Sequence, residues 1–420
     1  MFLLSIVCSG FMLFFAVMYL YWGLGCIKLY KGNRFHEDDS DYHPIVAVIL
    51  PLRGNDPFLV DCLNGLLNQD YLKYDVKIIV DHADDPVLKI VNQYLLKHNH
   101  PHCQVNVLES RTGICGLKNA SLIQGLQDLD DEVEVIAWLD ADVIPHRTWL
   151  QELIKPLQDK KVGVASGIRW YAPRHSNAGT LVRYMWNAAA VIQMMAMDIA
   201  WGGSIAMSRQ VFQNPLLHES WSTMMWEDTY LKKLVSNLNL ELVFVPSATM
   251  VNEESTSLKS CFHFITRQLM NVRFYHSHWW FIAGLGLFST IAQFTLMVLL
   301  PLYMVQGNLF GAGMIAVVLL FVSTSIVSIV CRIDSLIRQL VRARGEELKR
   351  LPFSTFSVLW LTLFVYCAAL FAAMRTRNIL WRGVIYNAVS PFQVQIEHYE
   401  PFQHSGEIVE ELEVVKSSIV

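Results

Sequence analysis

Hydrophobic positions in this chain fall into two regimes: unbroken blocks towards both ends, and short alternating runs in the middle. Residues 3–29 are almost free of charge, with Lys28 at the far end. The run is longer and more aromatic than the apolar core of a cleavable signal peptide, so residues 1–30 read as an uncleaved transmembrane anchor. Lys28, Lys31 and Arg34 follow it, and the positive-inside bias puts the next segment in the cytoplasm. From Trp279 to Cys331 the chain is apolar for the length of two spans, with a break near Pro301 to Gly311 and an interfacial pair at Trp279-Trp280. Residues 353–374 are apolar over another spanning length. Between the last two blocks, Arg332 to Arg344 repeats apolar residues at helical spacing with arginines between them. That pattern suits a basic amphipathic helix lying on an anionic leaflet, or a plain cytoplasmic loop. Four full spans would leave the basic tail that begins Arg375-Thr-Arg377 opposite the basic 332–352 segment, so one apolar block is expected to be re-entrant or to lie flat.

Residues 45–250 carry the alternating pattern. Strands are expected at Ile45–Leu50, Lys77–Val80, Val105–Leu108, Val133–Leu139 and Val162–Ala165, and helices at Phe58–Asn68, Val87–His98, Lys118–Leu129 and Thr148–Leu157. Such alternation predicts an α/β domain with a mainly parallel sheet and helices on both faces. The hydrophobic fraction of 53% and the charged fraction of 17% agree with membrane blocks attached to a soluble domain. A net charge of −4 argues against a nucleic-acid partner. Eight scattered cysteines without a Cys-x-x-Cys pair argue against a disulfide framework or a zinc site, and fit reduced thiols facing a cytoplasm. Residues 392–420, which include the acidic run Glu407 to Glu413, read as a disordered tail.

In an open parallel sheet, ligands sit beyond the carboxyl ends of the strands. The polar residues collect there: Pro51-Leu-Arg-Gly-Asn-Asp-Pro57, Val80-Asp-His-Ala-Asp-Asp-Pro86, Arg111-Thr-Gly-Ile-Cys-Gly-Leu-Lys118 and Asp140-Ala-Asp142. Each alone is ordinary turn chemistry; four in succession on one edge are harder to dismiss. Asp140 and Asp142, at i and i+2, share a side if strand geometry persists. Two close carboxylates repel unless a cation joins them, and Mg2+ or Mn2+ shared with a substrate diphosphate is the functional reading. No Walker-type loop and no Gly-x-Gly-x-x-Gly after the first strand occurs, so neither a P-loop ATPase nor a dinucleotide-binding domain is supported. Further on, Trp201-Gly-Gly-Ser-Ile-Ala-Met207 is a small-residue turn entering a strand, which is either a plain turn or a close approach to a ligand. Trp226-Glu-Asp228 opens an expected helix over Glu227–Leu238, where Asp228 either favours the helix N-terminus or serves as a general base.

Taken in order, Asp81-His-Ala-Asp-Asp85-Pro86, Asp140-Ala-Asp142, Trp201-Gly-Gly-Ser204, Glu227-Asp228 and Arg267-Gln268 resemble the membrane-bound family 2 glycosyltransferases. Within these they are most similar to the branch of ceramide glucosyltransferases and cyanobacterial monoglucosyldiacylglycerol synthases. The resemblance covers roughly residues 45–280. It implies a Rossmann-like GT-A fold flanked by transmembrane helices, a UDP-sugar donor and inversion at the anomeric carbon, with a membrane lipid as acceptor; the positive-inside bias puts this catalytic domain on the cytoplasmic side. The resemblance also implies roles. Asp81 and Asp85 contact the uridine, and Lys118 lies near the diphosphate. Asp142, with Asp140, holds Mg2+ or Mn2+ and the donor. Gly202, Gly203 and Ser204 line the acceptor entry beside Glu227, and Asp228 is the base.

The segment Phe264-Ile-Thr-Arg-Gln-Leu-Met-Asn-Val-Arg-Phe-Tyr275 departs from the family's Gln/Arg-x-x-Arg-Trp. Arg267 and Gln268 are present, with Arg267 expected to offset the charge on the leaving diphosphate; the second Arg and the Trp are missing in register, and Arg273-Phe274, about one turn further on, is expected to supply a cation and an aromatic instead. The expected organisation is an anchor (1–30), a glycosyltransferase domain (45–250), interfacial helices (251–278), a membrane region (279–375, with the basic segment 332–352) and a cytosolic tail (376–420). Competing readings are a processive polysaccharide synthase and a non-catalytic relative that keeps the fold.

Overall fold

The computed structural model describes residues 1–32, 42–349, 351 and 353–403. Arg34, Arg350, Pro352 and the acidic run 407–413 therefore lie outside the described residues. The chain divides into two compact units. One holds the N-terminal helix with Trp170–Met197 and Glu253–Arg375; the other holds the rest of the described chain.

The second unit is built on α/β alternation. In chain order it runs β1 (Val46–Leu52), α2 (Leu59–Leu67), β2 (Tyr74–Val80), α3 (Pro86–His98), β3 (Cys103–Val107), α4 (Leu117–Gly125), β4 (Val135–Leu139), α5 (Trp149–Ile154) and β5 (Val162–Tyr171). After a helix of the other unit come β6 (Ser204–Ser208), α7 (Arg209–Phe212), α8 (Pro215–Trp221), α9 (Leu231–Asn237) and β7 (Glu241–Asn252). The sheet order is β3-β2-β1-β4-β6-β5-β7. The first four strands in this order pair in parallel, so the loops that follow them gather on one edge. Every residue of β4 is buried, as is nearly every residue of β1, which requires cover on both faces of the sheet. β6 pairs antiparallel with β4 and sets Ser204 opposite Leu139. The start of β6 therefore meets the end of β4, so the Gly202-Gly203 turn falls on the ligand edge.

Local signals explain the boundaries. Asp85 caps α3 by accepting from the Val87 amide at 2.9 Å, Pro86 sits at the first helical position, and Asn99 ends the helix in a left-handed conformation at φ 45°. One expected helix starts later than its pattern suggested. The segment from Glu227 is a loop, and α9 begins at Leu231, so Asp228 is not at a helix N-terminus. The tail also departs from expectation. Residues 378–399 form an antiparallel sheet of β8 (Asn378–Trp381), β9 (Val384–Ser390) and β10 (Gln393–Tyr399). Arg382 (φ 48°) and Gly383 (φ 75°) make the two-residue turn between β8 and β9 that tight hairpins favour.

The first unit contains α1 (Phe2–Gly32), α6 (Ala178–Ala196), α10 (Leu258–Tyr275), α11 (Trp279–Val305), α12 (Leu309–Ala343) and α13 (Leu359–Arg375). Four helical stretches are long and apolar enough to cross a membrane: Phe2–Gly32, Trp279–Val305, Leu309–Ala343 and Ser354–Arg375. α1 packs against α11 and α12 through Met12, Ala16, Leu296, Ile315 and Val322. α11 continues through Pro301 and turns at Gly307, whose φ of 71° suits glycine, before Asn308 caps α12.

The basic stretch 332–344 is not a separate surface helix. No glycine or proline interrupts residues 314–344, so the span continues into it and α12 reaches 35 residues, about 50 Å. That exceeds the ~30 Å hydrocarbon core and carries the arginines out to the interface. Asp334 anchors this extension, accepting from Arg338 at 2.5 Å one turn on and from the Trp170 indole at 3.1 Å.

The contacts of β8 to β10 bear on the expected re-entrant block. Arg53 donates to the carbonyls of Arg382 (3.0 and 2.8 Å) and Glu400 (2.6 Å), and Arg382 pairs with Asp56. If α11 and α12 both cross, their hairpin returns the chain to the side it left. A complete crossing by α13 would then strand β8 to β10 on the side opposite the loops they bond to. The helical stretch Ser354–Arg375 is 22 residues long and apolar enough to cross, so its length alone does not single it out as the re-entrant block. Membrane-impermeant thiol labelling checks this. Cysteines placed at the exposed positions Leu96 and Gln395 should react from the same face of sealed vesicles, and labelling from opposite faces would show a full crossing by α13.

Candidate active site

The loops after β1 to β4 and the start of β6 build one polar cluster. Lys118, in the first turn of α4, directs its ammonium to Asp140 Oδ1 (2.5 Å), Glu227 Oε1 (2.6 Å) and the Gly202 carbonyl (3.0 Å). The Gly202 carbonyl also accepts from the Trp138 indole at 2.8 Å. The Gly202 amide donates to Asp228 Oδ2 at 2.8 Å, and Asp228 Oδ1 accepts from the Thr229 amide at 2.6 Å. Asp140, Lys118, Glu227 and Asp228, up to 110 residues apart, are thus joined through the backbone of one glycine. A Cβ at Gly202 would run into the carboxylates of both Glu227 and Asp228, so glycine is required there for close approach.

The charges respond to this crowding. Burial disfavours the Lys118 ammonium, but Asp140 and Glu227 override it and hold the group protonated well above the ordinary lysine range. Burial would raise Asp140, and the Lys118 cation outweighs it and keeps the carboxyl low. Burial pushes Glu227 up to about 7 despite Lys118, with Asp228 adding to the rise. Asp142 is pushed up to about 6, first by burial and then by the charge on Asp140, with Arg169 and Arg382 opposing.

Asp142 Oδ1 is buried and has no hydrogen-bond partner among the described residues, although the Asp142 carbonyl accepts from Asn252 at 3.1 Å. A carboxylate oxygen left in that state is costly. Among the described residues, no group of three His, Cys, Asp or Glu side chains gathers to make a protein-only cage. The Asp140/Asp142 pair fits a different type of site, in which Mg2+ or Mn2+ takes one or two carboxylates and completes its shell with phosphate oxygens and water.

The other expected residues occupy distinct places. Asp81 is buried and triply held, by Arg53, by Arg111 Nε at 3.4 Å and by the Tyr399 hydroxyl at 3.0 Å. Both Asp85 oxygens are taken by amides, Val87 at 2.9 Å and Gly54 at 2.8 Å, so Asp85 shapes the loops after β1 and β2. Ser204 is fully buried and accepts from the Trp149 indole at 2.9 Å, which leaves Gly202 and Gly203 as the polar backbone at the turn. Arg267, Gln268 and Arg273 lie on α10 of the other unit, and Arg273 donates to the Ala373 carbonyl at the end of α13.

Sequence reasoning missed the C-terminal sheet. The Arg53 and Arg111 guanidiniums both lie over the Tyr399 ring, 5.1 and 5.3 Å from its centre. Arg382 donates to the Arg53 carbonyl and pairs with Asp56, while Arg53 holds the Arg382 carbonyl in return. The Ile396 amide donates to Gly113 at 2.7 Å, the Tyr386 hydroxyl accepts from the Leu117 amide at 3.5 Å, and the ring of Phe402 presses on Gly54. These contacts reach the loops after β1, β2 and β3. The period-two run Val384, Tyr386, Ala388 beside an Arg-Gly turn is the signal that would have found the sheet.

Comparison with known proteins follows the same outline. Glycosyltransferase AglE of Haloferax volcanii is 23% identical over 126 residues, 30% of this chain and 39% of that protein. The ceramide glucosyltransferase of Candida albicans is 30% identical over 80 residues, 19% of this chain and 15% of that protein. The chain thus matches less than half the length of either relative. Among solved structures, a mannosyltransferase from Pyrobaculum calidifontis, in complex with GDP-Man and Mn2+, is 15% identical, covers 87% of this chain and 97% of that one, and has a TM-score of 0.47. The pattern of glycosyl transferase family 21 matches residues 11–391, from the first helix through the parallel sheet to β9, and the chain belongs to that family.

Proposed function

We propose that the protein is an inverting glycosyltransferase that moves a hexose, glucose in the first instance, from a UDP-sugar to a hydroxyl of a membrane lipid such as diacylglycerol or ceramide. The observation that carries this reading is the Gly202 junction, where a carboxylate suited to be a base and a cation–carboxylate pair suited to a diphosphate share one residue's backbone. The lipid is supported by the four helices of spanning character and by a ceramide glucosyltransferase among the relatives. Lys28, Lys31 and the unpaired cysteines support a cytoplasmic catalytic unit.

In this reading Asp228 takes the proton of the acceptor hydroxyl, the oxygen attacks the anomeric carbon, and the bond from that carbon to the phosphate oxygen breaks so that UDP leaves with the electron pair. Asp140 and Asp142 would hold a divalent ion, which would supply Lewis-acid stabilisation of the leaving diphosphate when bound. Lys118 keeps Asp140 and Glu227 in place, and Asp81 with Arg53, Arg111 and Tyr399 frames the uridine. Arg267 offsets the growing charge on the diphosphate in this reading, and we assign Arg382 to the same charge. Arg382 is partly exposed, is fixed on the loop after β1, and acts electrostatically on both Asp140 and Asp142.

Expression in a heterologous host with labelled UDP-sugars, followed by lipid chromatography, should yield one sugar on one lipid class. A long polymer, or no consumption of donor, would end the proposal. Asp228→Asn should lose roughly 10²–10⁴-fold in turnover, the usual contribution of a general base, with UDP binding retained in calorimetry. Arg382→Ala should raise the KM for the donor and the Kd for UDP by roughly 10–100-fold, the worth of a charge-assisted hydrogen bond, with the lipid KM unchanged and partial rescue by Arg382→Lys.

A further inference from the structure

Within the membrane unit, six helices (α1, α6, α10, α11, α12 and α13) line a partly open cleft of about 150 Å³. Its wall is mostly apolar and aromatic, with Phe15, Trp22 and Trp186 among the lining residues. Along α11 it extends from Leu285 to Gln293, eight residues or about 12 Å, so it is an elongated slot. Several polar side chains on its wall are already satisfied by their own helices: Ser289 donates to the Gly286 carbonyl at 3.1 Å and Thr362 to the Val358 carbonyl at 2.8 Å.

Two amides are different. Gln193 on α6 and Gln293 on α11 both line the slot, and among the described residues neither side chain is hydrogen-bonded. Gln293 is 5% exposed and sits within a helix of spanning hydropathy. A polar side chain held in hydrocarbon without a partner costs free energy, and such residues mark ligand paths. Gln193 lies one turn before Met197, whose carbonyl is 3.0 Å from His276 Nε2, and His276 is three residues from the expected interfacial pair Trp279-Trp280. The slot therefore has one amide near the interfacial level and one further down α11.

We propose that this slot is the binding site for the acceptor lipid, taking its hydrocarbon along the apolar wall and its hydrogen-bonding groups at Gln193 and Gln293. The occupant is a lipid whose backbone or chain carries hydroxyl, ester or amide groups, because bare hydrocarbon would leave both amides unmet. An amide offers two donors and an acceptor, so it matches such groups in either sense. The assignment rests on the lipid-acceptor reading above, and its test reads binding separately from sugar transfer.

The probes are photoreactive diacylglycerol and photoreactive ceramide, added to the full-length protein in nanodiscs, with photoreactive phosphatidylcholine as the comparison. One of the two acceptor probes should label peptides of α6 and α11 and be displaced by its unlabelled parent. Gln293→Leu should weaken that labelling roughly 3–10-fold and raise the lipid KM in step, leaving the donor KM unchanged. It should also leave the melting temperature of the lipid-free protein the same or higher, because it removes an unpartnered amide. Ala190→Trp, which fills the slot, should abolish the labelling. Equal labelling of the same peptides by phosphatidylcholine, or a lower melting temperature in Gln293→Leu with labelling intact, would overturn the assignment. Specific labelling without any sugar transfer would leave the site standing and refute the enzymatic reading; transfer to a lipid without labelling here would do the reverse.

Discussion

One ammonium organises the catalytic end of this protein. Lys118 is held by Asp140, Glu227 and the carbonyl of Gly202, which lie on three segments separated by long stretches of chain. Removing any of these partners would leave a largely buried charge short of compensation, and that is far more costly than never having buried it. The same constraint forces Gly202 to be glycine and delivers its amide to Asp228. The strand order depends on it too. Only an antiparallel β6 beside β4 brings the start of one strand to the end of the other, where Asp140 and Gly202 meet.

The C-terminal sheet adds a second set of constraints on the same edge. Arg53 and Arg382 each hold the other's carbonyl, and each is neutralised by a carboxylate, Asp81 and Asp56 respectively. This reciprocal arrangement fastens a segment more than 300 residues away to the loop after β1.

Much of the frame was legible beforehand. The strands β1 to β5 and the helices between them appear where β-branched runs alternate with amphipathic stretches, because burial on a sheet and burial on a helix impose different periods. The acidic and glycine-rich strand ends pointed to one edge for the same reason. Other features were not legible. The turn before α9 reads as helix because its apolar spacing is helical, yet Asp228 is drawn into a loop by the Gly202 and Thr229 amides. The segment 332–344 reads as a surface helix by composition, while an uninterrupted helical backbone makes it the end of a span.

The sequence by itself therefore determined the class of fold and the membrane character of the ends, since each follows from local period or local composition. Only the tertiary structure decided which carboxylates already have partners. Asp85 and Ser204 are used internally, Asp81 is shared with Tyr399, and Asp142 keeps an oxygen free. It likewise decided that residues after 376 wall the catalytic edge and that two glutamines line a slot among apolar helices. These are outcomes of long-range packing, where a side chain's chemistry depends on which distant groups share its low-dielectric surroundings, and no local pattern encodes that.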